Sequence, residues 1–307
     1  MKERRIFILL SSKSSGSTAM QSFLRVNYGL NIVKRTEHFE FETLYWTKAA
    51  SVMGLNQLPM HRSNVPYSKE AARLSLVKFL KSNGVERDLE APTKEDLFEL
   101  FYELAAKSGY LFIEKSPHHL FNQSNVDLIV EFRDYIKSRA NVILLGLVRN
   151  PLDTIYSAWS RWRFNCVAFE SEWRKSYANL RSLAERGVGV KIFRYEDLVS
   201  STAELDEYLG SCGLVRIASE FRFKNDSVGR WKSAPSFCHQ LDRETILVAS
   251  SFGYEQGLVN SKGRTILWNL TEYLNQLKFY LRTIRNGLKK TVSRTKVVVV
   301  EAMGSDD

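Results

Sequence analysis

The chain opens on an apolar run, Ile6-Phe-Ile-Leu-Leu10, that stops abruptly in small polar residues from Ser11 to Thr18. Ala19-Met-Gln-Ser-Phe-Leu-Arg25 then has the spacing of a helix, so the order is strand, loop, helix. Short apolar runs recur at 110–114, 142–148 and 190–195, with stretches of helical period between them. Buried strands separated in this way predict parallel βαβ units, hence an α/β fold with a parallel sheet covered by helices on both faces. From about residue 43 to 107 the pattern is helical throughout. Within it Thr93-Lys-Glu-Asp96 forms a capping box ahead of Leu97, Phe101 and Leu104, which share one helix face. This segment reads as an insertion over the carboxyl edge of the sheet. Near the other end, Leu267, Leu270, Leu274, Leu277, Leu281, Ile284 and Leu288 alternate at spacings of three and four, a narrow coiled-coil-like seam. Residues 257–263 read as the linker that separates a body, 1–261, from this extra helix and tail, 262–307.

Composition changes this picture little, because 307 residues with 44% apolar content suffice for one large core. The five-residue opening run is too short for a signal-peptide core or a membrane span, and no later run is long enough for a span either. Cys166, Cys212 and Cys238 are odd in number and lack metal-ligand spacing, which points to a reducing, cytoplasmic setting without a disulfide framework. The charge is more informative. Of the net +10, a local +8 comes from nine Lys or Arg between 262 and 296 set against the single acid Glu272. The body therefore carries an ordinary charge balance, which argues against nucleic acid as its partner, and Trp159, Trp162 and Trp173 read as core or cleft wall rather than a stacking platform. The terminal helix has three readings: packing across its own domain, forming a homodimer, or lying peripherally on an anionic membrane.

Two motifs carry chemistry. In the first loop, helix-start N–H groups, the Ser17 and Thr18 hydroxyls and the Lys13 ammonium suit a phosphate or sulfate. It is not the nucleotide-triphosphatase pattern, which needs Gly-Lys-Ser/Thr in order, whereas Lys13 precedes Gly16. The second, Val148-Arg-Asn-Pro-Leu-Asp-Thr-Ile-Tyr-Ser157, puts Arg149 at a strand's carboxyl end, Pro151 in a helix's first turn and Ser157 two turns on. Either Arg149 and Ser157 converge on one anion, or the Arg serves nearby carbonyls and the Ser is solvated.

These residues, taken in order, resemble the family of sulfotransferases that use 3′-phosphoadenosine 5′-phosphosulfate (PAPS). Lys13, Ser14, Ser15, Gly16, Ser17 and Thr18 are similar to its 5′-phosphosulfate loop, and Arg149 with Ser157 to its 3′-phosphate pair. Glu114-Lys-Ser-Pro117 resembles its Lys-Ser/Thr-Pro turn, and Arg194-Tyr-Glu-Asp-Leu198 its Arg-Tyr-Glu-Asp-Leu strand end. Val228-Gly-Arg-Trp-Lys232, with Arg230 and Trp231, is similar to the loop that closes over the nucleotide, and Phe252-Gly-Tyr254 to a terminal Gly-Tyr. The likeness implies a P-loop-type α/β fold and transfer of a sulfuryl group from PAPS to an acceptor hydroxyl or amine by in-line displacement without a metal. One departure stands out: Ser14 occupies the position, two before the glycine, where the family has Lys or Arg. Either the loop bulges to bring Lys13 round, or Lys115 takes more of that work.

The acceptor needs a base. Glu37 and His38, in Arg35-Thr-Glu-His-Phe-Glu-Phe41, resemble the acidic base region of carbohydrate sulfotransferases, and His118 resembles the histidine base of cytosolic relatives. Glu37 comes first in this order, His38 second and His118 third. Glu196 and Asp197, neighbours on a strand end, read as fold-stabilising. A P-loop kinase would predict Gly-Lys-Ser/Thr with an acidic magnesium ligand. A non-catalytic adenosine-bisphosphate-binding protein is the alternative of another kind. The acceptor class, whether carbohydrate, lipid, small alcohol or tyrosine, is not readable.

Overall fold

The computed structural model describes residues 3–63, 65–218, 220–255, 257–260, 262, 266, 268–275, 277 and 281. Four parallel strands, β1 (Arg4–Ser11), β2 (Leu111–Lys115), β3 (Ala140–Val148) and β4 (Val190–Arg194), lie in the order β2-β1-β3-β4. They are the four apolar runs read from the sequence, except that Tyr195 leaves the last strand to open a helix. Side chains alternate across the sheet as the two-residue period of a strand requires. Ile6, Ile8, Leu10, Val142, Leu144 and Val148 enter one core, while Phe7, Leu9, Ile143, Leu145 and Leu147 enter the other.

Helices cover both faces. Into the larger core pack α2 (Tyr45–Val52), α3 (Lys69–Ser82), α4 (Lys94–Ser108), α5 (Gln123–Ile136), α7 (Cys166–Glu185) and α10 (Arg243–Ser250). The opposite core takes α1 (Ser17–Tyr28), α8 (Tyr195–Ser200) and α9 (Ala203–Ser211). A third cluster joins α6 (Pro151–Trp162) to Trp231, Phe237 and Trp268. The Thr93 capping box is formed, with the Thr93 hydroxyl accepting from Asp96 N–H and the Asp96 carboxylate accepting from Thr93 N–H.

The 43–107 segment is less helical than its pattern suggests. Residues 53–63, 65–68 and 83–93 run without helix between α2, α3 and α4. Those stretches carry Gly54, Pro59, Pro66, Gly84 and Pro92, which break a ladder that apolar periodicity alone would continue. The 257–260 stretch is tied down rather than loose: Leu258 and Asn260 are buried, and Asn260 Nδ2 donates to the Phe237 and His239 carbonyls at 3.1 and 3.2 Å. Of the leucine seam, Leu270, Leu274, Leu277 and Leu281 are described, whereas Leu267, Ile284 and Leu288 lie outside the described residues.

Candidate active site at the carboxyl ends of the strands

Ser11, Lys115, Val148 and Arg194 end the four strands on one edge, where an open parallel sheet places its ligand sites. Between β1 and α1 the loop is shaped from within. Ser15 Oγ donates to the Ser12 carbonyl at 2.6 Å, and Tyr177 OH lies 3.2 Å from Ser12 Oγ while donating to Leu147 O. Gly16 sits at φ +95°, and a Cβ there would come within 2.4 Å of the Tyr195 ring. Only glycine fits both conditions. No side chain caps the start of α1, so its first N–H groups keep their capacity for an acceptor.

Ser14 adopts left-handed backbone at φ +60°. The loop does not turn Lys13 toward the helix start. Lys13 Nζ donates to the His61 carbonyl at 3.2 Å and lies 3.9 Å from Glu172 Oε2. Burial lowers its pKa from the ordinary lysine value, against the opposing pull of Glu172 and Glu42. The ammonium over the loop–helix junction is that of Lys115, buried, with Nζ 3.1 Å from Thr18 Oγ1 and 3.4 Å from Glu42 Oε1.

Around Lys115 the structure gathers groups that the sequence motifs did not single out. Glu42 is mostly buried, its Oε2 4.0 Å from His118 Nδ1, and Glu40 accepts a hydrogen bond from the Thr18 hydroxyl. Burial raises the Glu42 carboxyl above its ordinary range, against the opposing charge and hydrogen bond of Lys115. Glu40, Phe41 and Leu44 all hold left-handed backbone, at φ 58°, 61° and 53°. Three non-glycine residues in that region within five positions is strain that the surroundings must hold.

What holds it is Glu114. Its Oε1 accepts from Thr43 Oγ1 at 2.6 Å and from Ser116 Oγ at 2.8 Å, and the Ser116 hydroxyl accepts from Leu44 N–H at 3.0 Å. Glu42 and Lys115 are thus fixed to one another through their chain neighbours. His118 is buried beside them, with Nε2 2.9 Å from Ser63 Oγ. Its pKa falls well below the ordinary histidine value, first from burial and then from the nearby charge of Lys13, so the ring is neutral at pH 7.

Glu37 stands apart from this cluster. Its carboxylate pairs with Lys78 Nζ at 2.7 Å and accepts from Ser75 Oγ at 3.1 Å, on α3. Burial alone would raise its pKa, but those contacts and Lys48 lower it overall, leaving a weaker base than Glu42. His38 is half-buried and lowered in pKa by burial and then by Lys48. The sequence offered Glu37, Glu40 and Glu42 on one short run. The signal for Glu42 was its adjacency to Thr43, which is readable only once Glu114 is known to face it.

At the other end of the edge, Arg149 Nη1 donates to the Ser14 carbonyl at 3.2 Å and Nη2 to the Ser227 carbonyl at 2.6 Å. Its guanidinium carbon lies 4.8 Å from the centre of the Tyr195 ring, the same ring that meets Gly16. Arg149 Nε is buried with no partner among the described residues, an unused donor beside the first loop. Asn150 caps α6 and Pro151 takes its first position, as read from the sequence, with Ser157 half-buried two turns on. Trp231 is buried in the third cluster, against Leu152 and Phe237, while Arg230 is exposed. The loop before them is anchored by Asp153 Oδ1, which accepts from Gly229 N–H at 2.8 Å and lines a cleft of about 420 Å³ with Lys232, Glu196 and Tyr254.

Glu196 and Asp197 sit in the first turn of α8 rather than on a strand. Each has its own structural partner: Glu196 accepts from Asn150 N–H and Tyr254 OH at 3.0 and 2.6 Å, and Asp197 forms a two-point pair with Arg194, both contacts 2.7 Å.

No family model and no curated protein sequence matches this chain. Among solved structures it is similar to the sulfotransferase domain from the Synechococcus PCC 7002 olefin synthase, with a TM-score of 0.55 and 19% identity over 83% of this chain and 96% of that one. A sulfotransferase domain from the curacin biosynthetic pathway matches at TM-score 0.48 and 17% identity, over 83% of this chain and 99% of that one. The olefin synthase likeness, together with the β2-β1-β3-β4 parallel sheet, shows a sulfotransferase-type α/β fold.

Proposed function

We propose that this protein is a sulfotransferase that takes a sulfuryl group from PAPS to an acceptor hydroxyl or amine. One observation carries the reading: Lys115 Nζ, Thr18 Oγ1 and the mostly buried Glu42 carboxylate meet over the uncapped start of α1. An ammonium and free amides suit the anionic end of a donor, and a carboxylate beside them suits removal of the acceptor's proton.

The residues fit the donor on two further counts. Gly16 lets the loop turn tightly against Tyr195 into the uncapped start of α1, and Arg149 presents a buried Nε without a partner among the described residues, a donor suited to a second phosphate. PAPS supplies the sulfuryl group and an adenosine bisphosphate leaving group. Lys115 and the first N–H groups of α1 stabilise the charge that grows on the leaving oxygen. Glu42 accepts the acceptor's proton, and the Glu114 contacts hold it in place. Lys13, paired with Glu172, contributes positive potential from the side. Because two ammonium groups supply that potential, turnover is expected to persist in chelator.

The test pairs two measurements: transfer of label from PAPS across an acceptor panel, and calorimetric binding of 3′,5′-adenosine bisphosphate to wild type and Arg149→Ala. Transfer, with bisphosphate affinity reduced by roughly 30- to 100-fold in the variant, supports the reading. Binding without transfer to any acceptor would make the chain a nucleotide-binding module. Equal affinity in the two proteins would remove Arg149 from the site.

A further inference from the structure

The described part of the terminal helix presents two unlike faces. Trp268 and Asn275 are buried and Glu272 is half-buried, at spacings of four and three, so they share one face. That face is turned to the body. The Trp268 ring centre lies 5.5 Å from that of Trp159 and 5.6 Å from that of Phe237, and Glu272 Oε2 accepts from Cys166 N–H at 3.4 Å. The leucine seam faces the other way. Ile266, Leu270, Leu274, Leu277 and Leu281 are between 41% and 88% exposed, with Tyr273 exposed beside them. An apolar row that the body leaves bare needs another cover.

Charge decides which cover fits. Between 262 and 296 the sequence holds nine Lys or Arg and one acid, and that acid, Glu272, is the one turned inward to Cys166. The next acids, Glu301, Asp306 and Asp307, come after the last seam residue. Lys278 and Arg285 directly follow the seam residues Leu277 and Ile284 in the sequence. A second copy would bring this same excess of cations against itself, with no acid on the seam to answer it. An anionic lipid surface answers both features at once, because its acyl boundary takes the leucines and its headgroups take the cations. No helix among the described residues is long and apolar enough to cross a membrane. We infer that this helix docks the protein on an anionic membrane surface through the seam Leu270, Leu274, Leu277 and Leu281.

The full-length protein is tested by co-sedimentation with phosphatidylcholine vesicles, with and without phosphatidylserine. Two variants accompany it: Leu270→Glu/Leu274→Glu/Leu277→Glu and Lys278→Glu/Arg282→Glu/Arg285→Glu. Wild type should bind only the phosphatidylserine vesicles, more weakly as salt rises, and each variant should lose about tenfold or more in affinity. All seam positions changed are exposed, so circular dichroism and melting should match wild type. Failure of wild type to bind, or binding unchanged in both variants, overturns the inference. So does seam-dependent dimerisation in the ultracentrifuge without vesicle binding, which would assign the seam to a second copy.

Discussion

Glu114 Oε1 and His119 Nε2 lie 3.0 Å apart, both side chains wholly shielded from water, directly behind the Lys115 ammonium. His119 Nδ1 in turn lies 3.3 Å from Thr47 Oγ1, so the pair links β2 to the start of α2. A buried charge of this kind is costly unless it is paired, and here Oε1 gathers all the partners while Oε2 is buried with none among the described residues. Burial alone would raise the Glu114 pKa, but His119, Thr43 and Ser116 lower it overall. The sign follows: the stability it contributes is full above the ordinary carboxylate value of 4.5 and is lost as pH falls through the lower folded value. Glu114→Ala is expected to destabilise the protein by roughly 3–5 kcal/mol, read from urea midpoints at neutral pH. Glu114→Gln keeps an acceptor for Thr43 and Ser116 and should fall between. A loss under about 1 kcal/mol in the alanine variant would mean that the cluster is not structural.

Exchange of Glu42 tests the proposed base. Glu42→Gln should lower turnover about 100-fold or more with bisphosphate affinity kept, whereas Glu37→Gln, on a carboxylate paired with Lys78, should stay near wild type. Because the Glu42 carboxyl is held above its ordinary range, activity of the wild type should fall on the acid side at a pH above 4.5, and this limb should vanish in the glutamine variant. His118→Ala is the control. Loss of turnover there with Glu42→Gln active would make the neutral imidazole the base.

Gly16→Ala asks whether the first loop is shaped by steric need. The added Cβ meets the Tyr195 ring and imposes a strained φ, so a cost of about 1–3 kcal/mol in stability and weakened bisphosphate binding are expected. Unchanged melting and affinity would show that the loop has another conformation open to it.

These three tests differ in how far the sequence foretells them. The four strands and Gly16 are legible, because unbroken apolar runs and a small-residue loop before a helix are local patterns that the chain carries whatever its tertiary contacts. Thr93 is legible for the same reason, since a capping box spans four residues. Glu42 is not. Its selection over Glu37 depends on left-handed backbone at Glu40, Phe41 and Leu44, which no hydrophobic period signals, and on Glu114, 72 positions away from it. The facing of Lys13 toward His61 and Glu172 is likewise set by a loop and a helix remote in sequence. Side chains that meet through tertiary structure leave no mark in spacing. The apolar seam of the terminal helix was legible as a seam, but its outward facing was not, because Trp268 fixes it through contacts with Trp159 and Phe237.

Asp153 offers a test in which pH reports on the loop ahead of Arg230. Its carboxyl is buried and accepts from Gly229 N–H, and burial, outweighing the pull of Arg149, pushes its pKa from 3.8 up to about 6. A raised folded pKa means that the native state binds the proton more tightly than the unfolded chain. Stability from this group is therefore full below pH 3.8 and is lost as pH rises through about 6. Asparagine supplies the same Oδ1 acceptor without the charge, so Asp153→Asn should escape that loss. The two proteins are expected to share one stability at the acid end and to diverge as pH rises, the variant ending more stable by on the order of 1–3 kcal/mol near neutrality. Urea midpoints taken across this range measure the divergence directly. If the two curves run parallel, Asp153 titrates as an ordinary carboxylate, and the Gly229 contact rather than burial governs it. If the variant matches wild type at the acid end but is less stable near neutrality, the ionised form is what holds the 227–232 loop against Arg149 and Lys232.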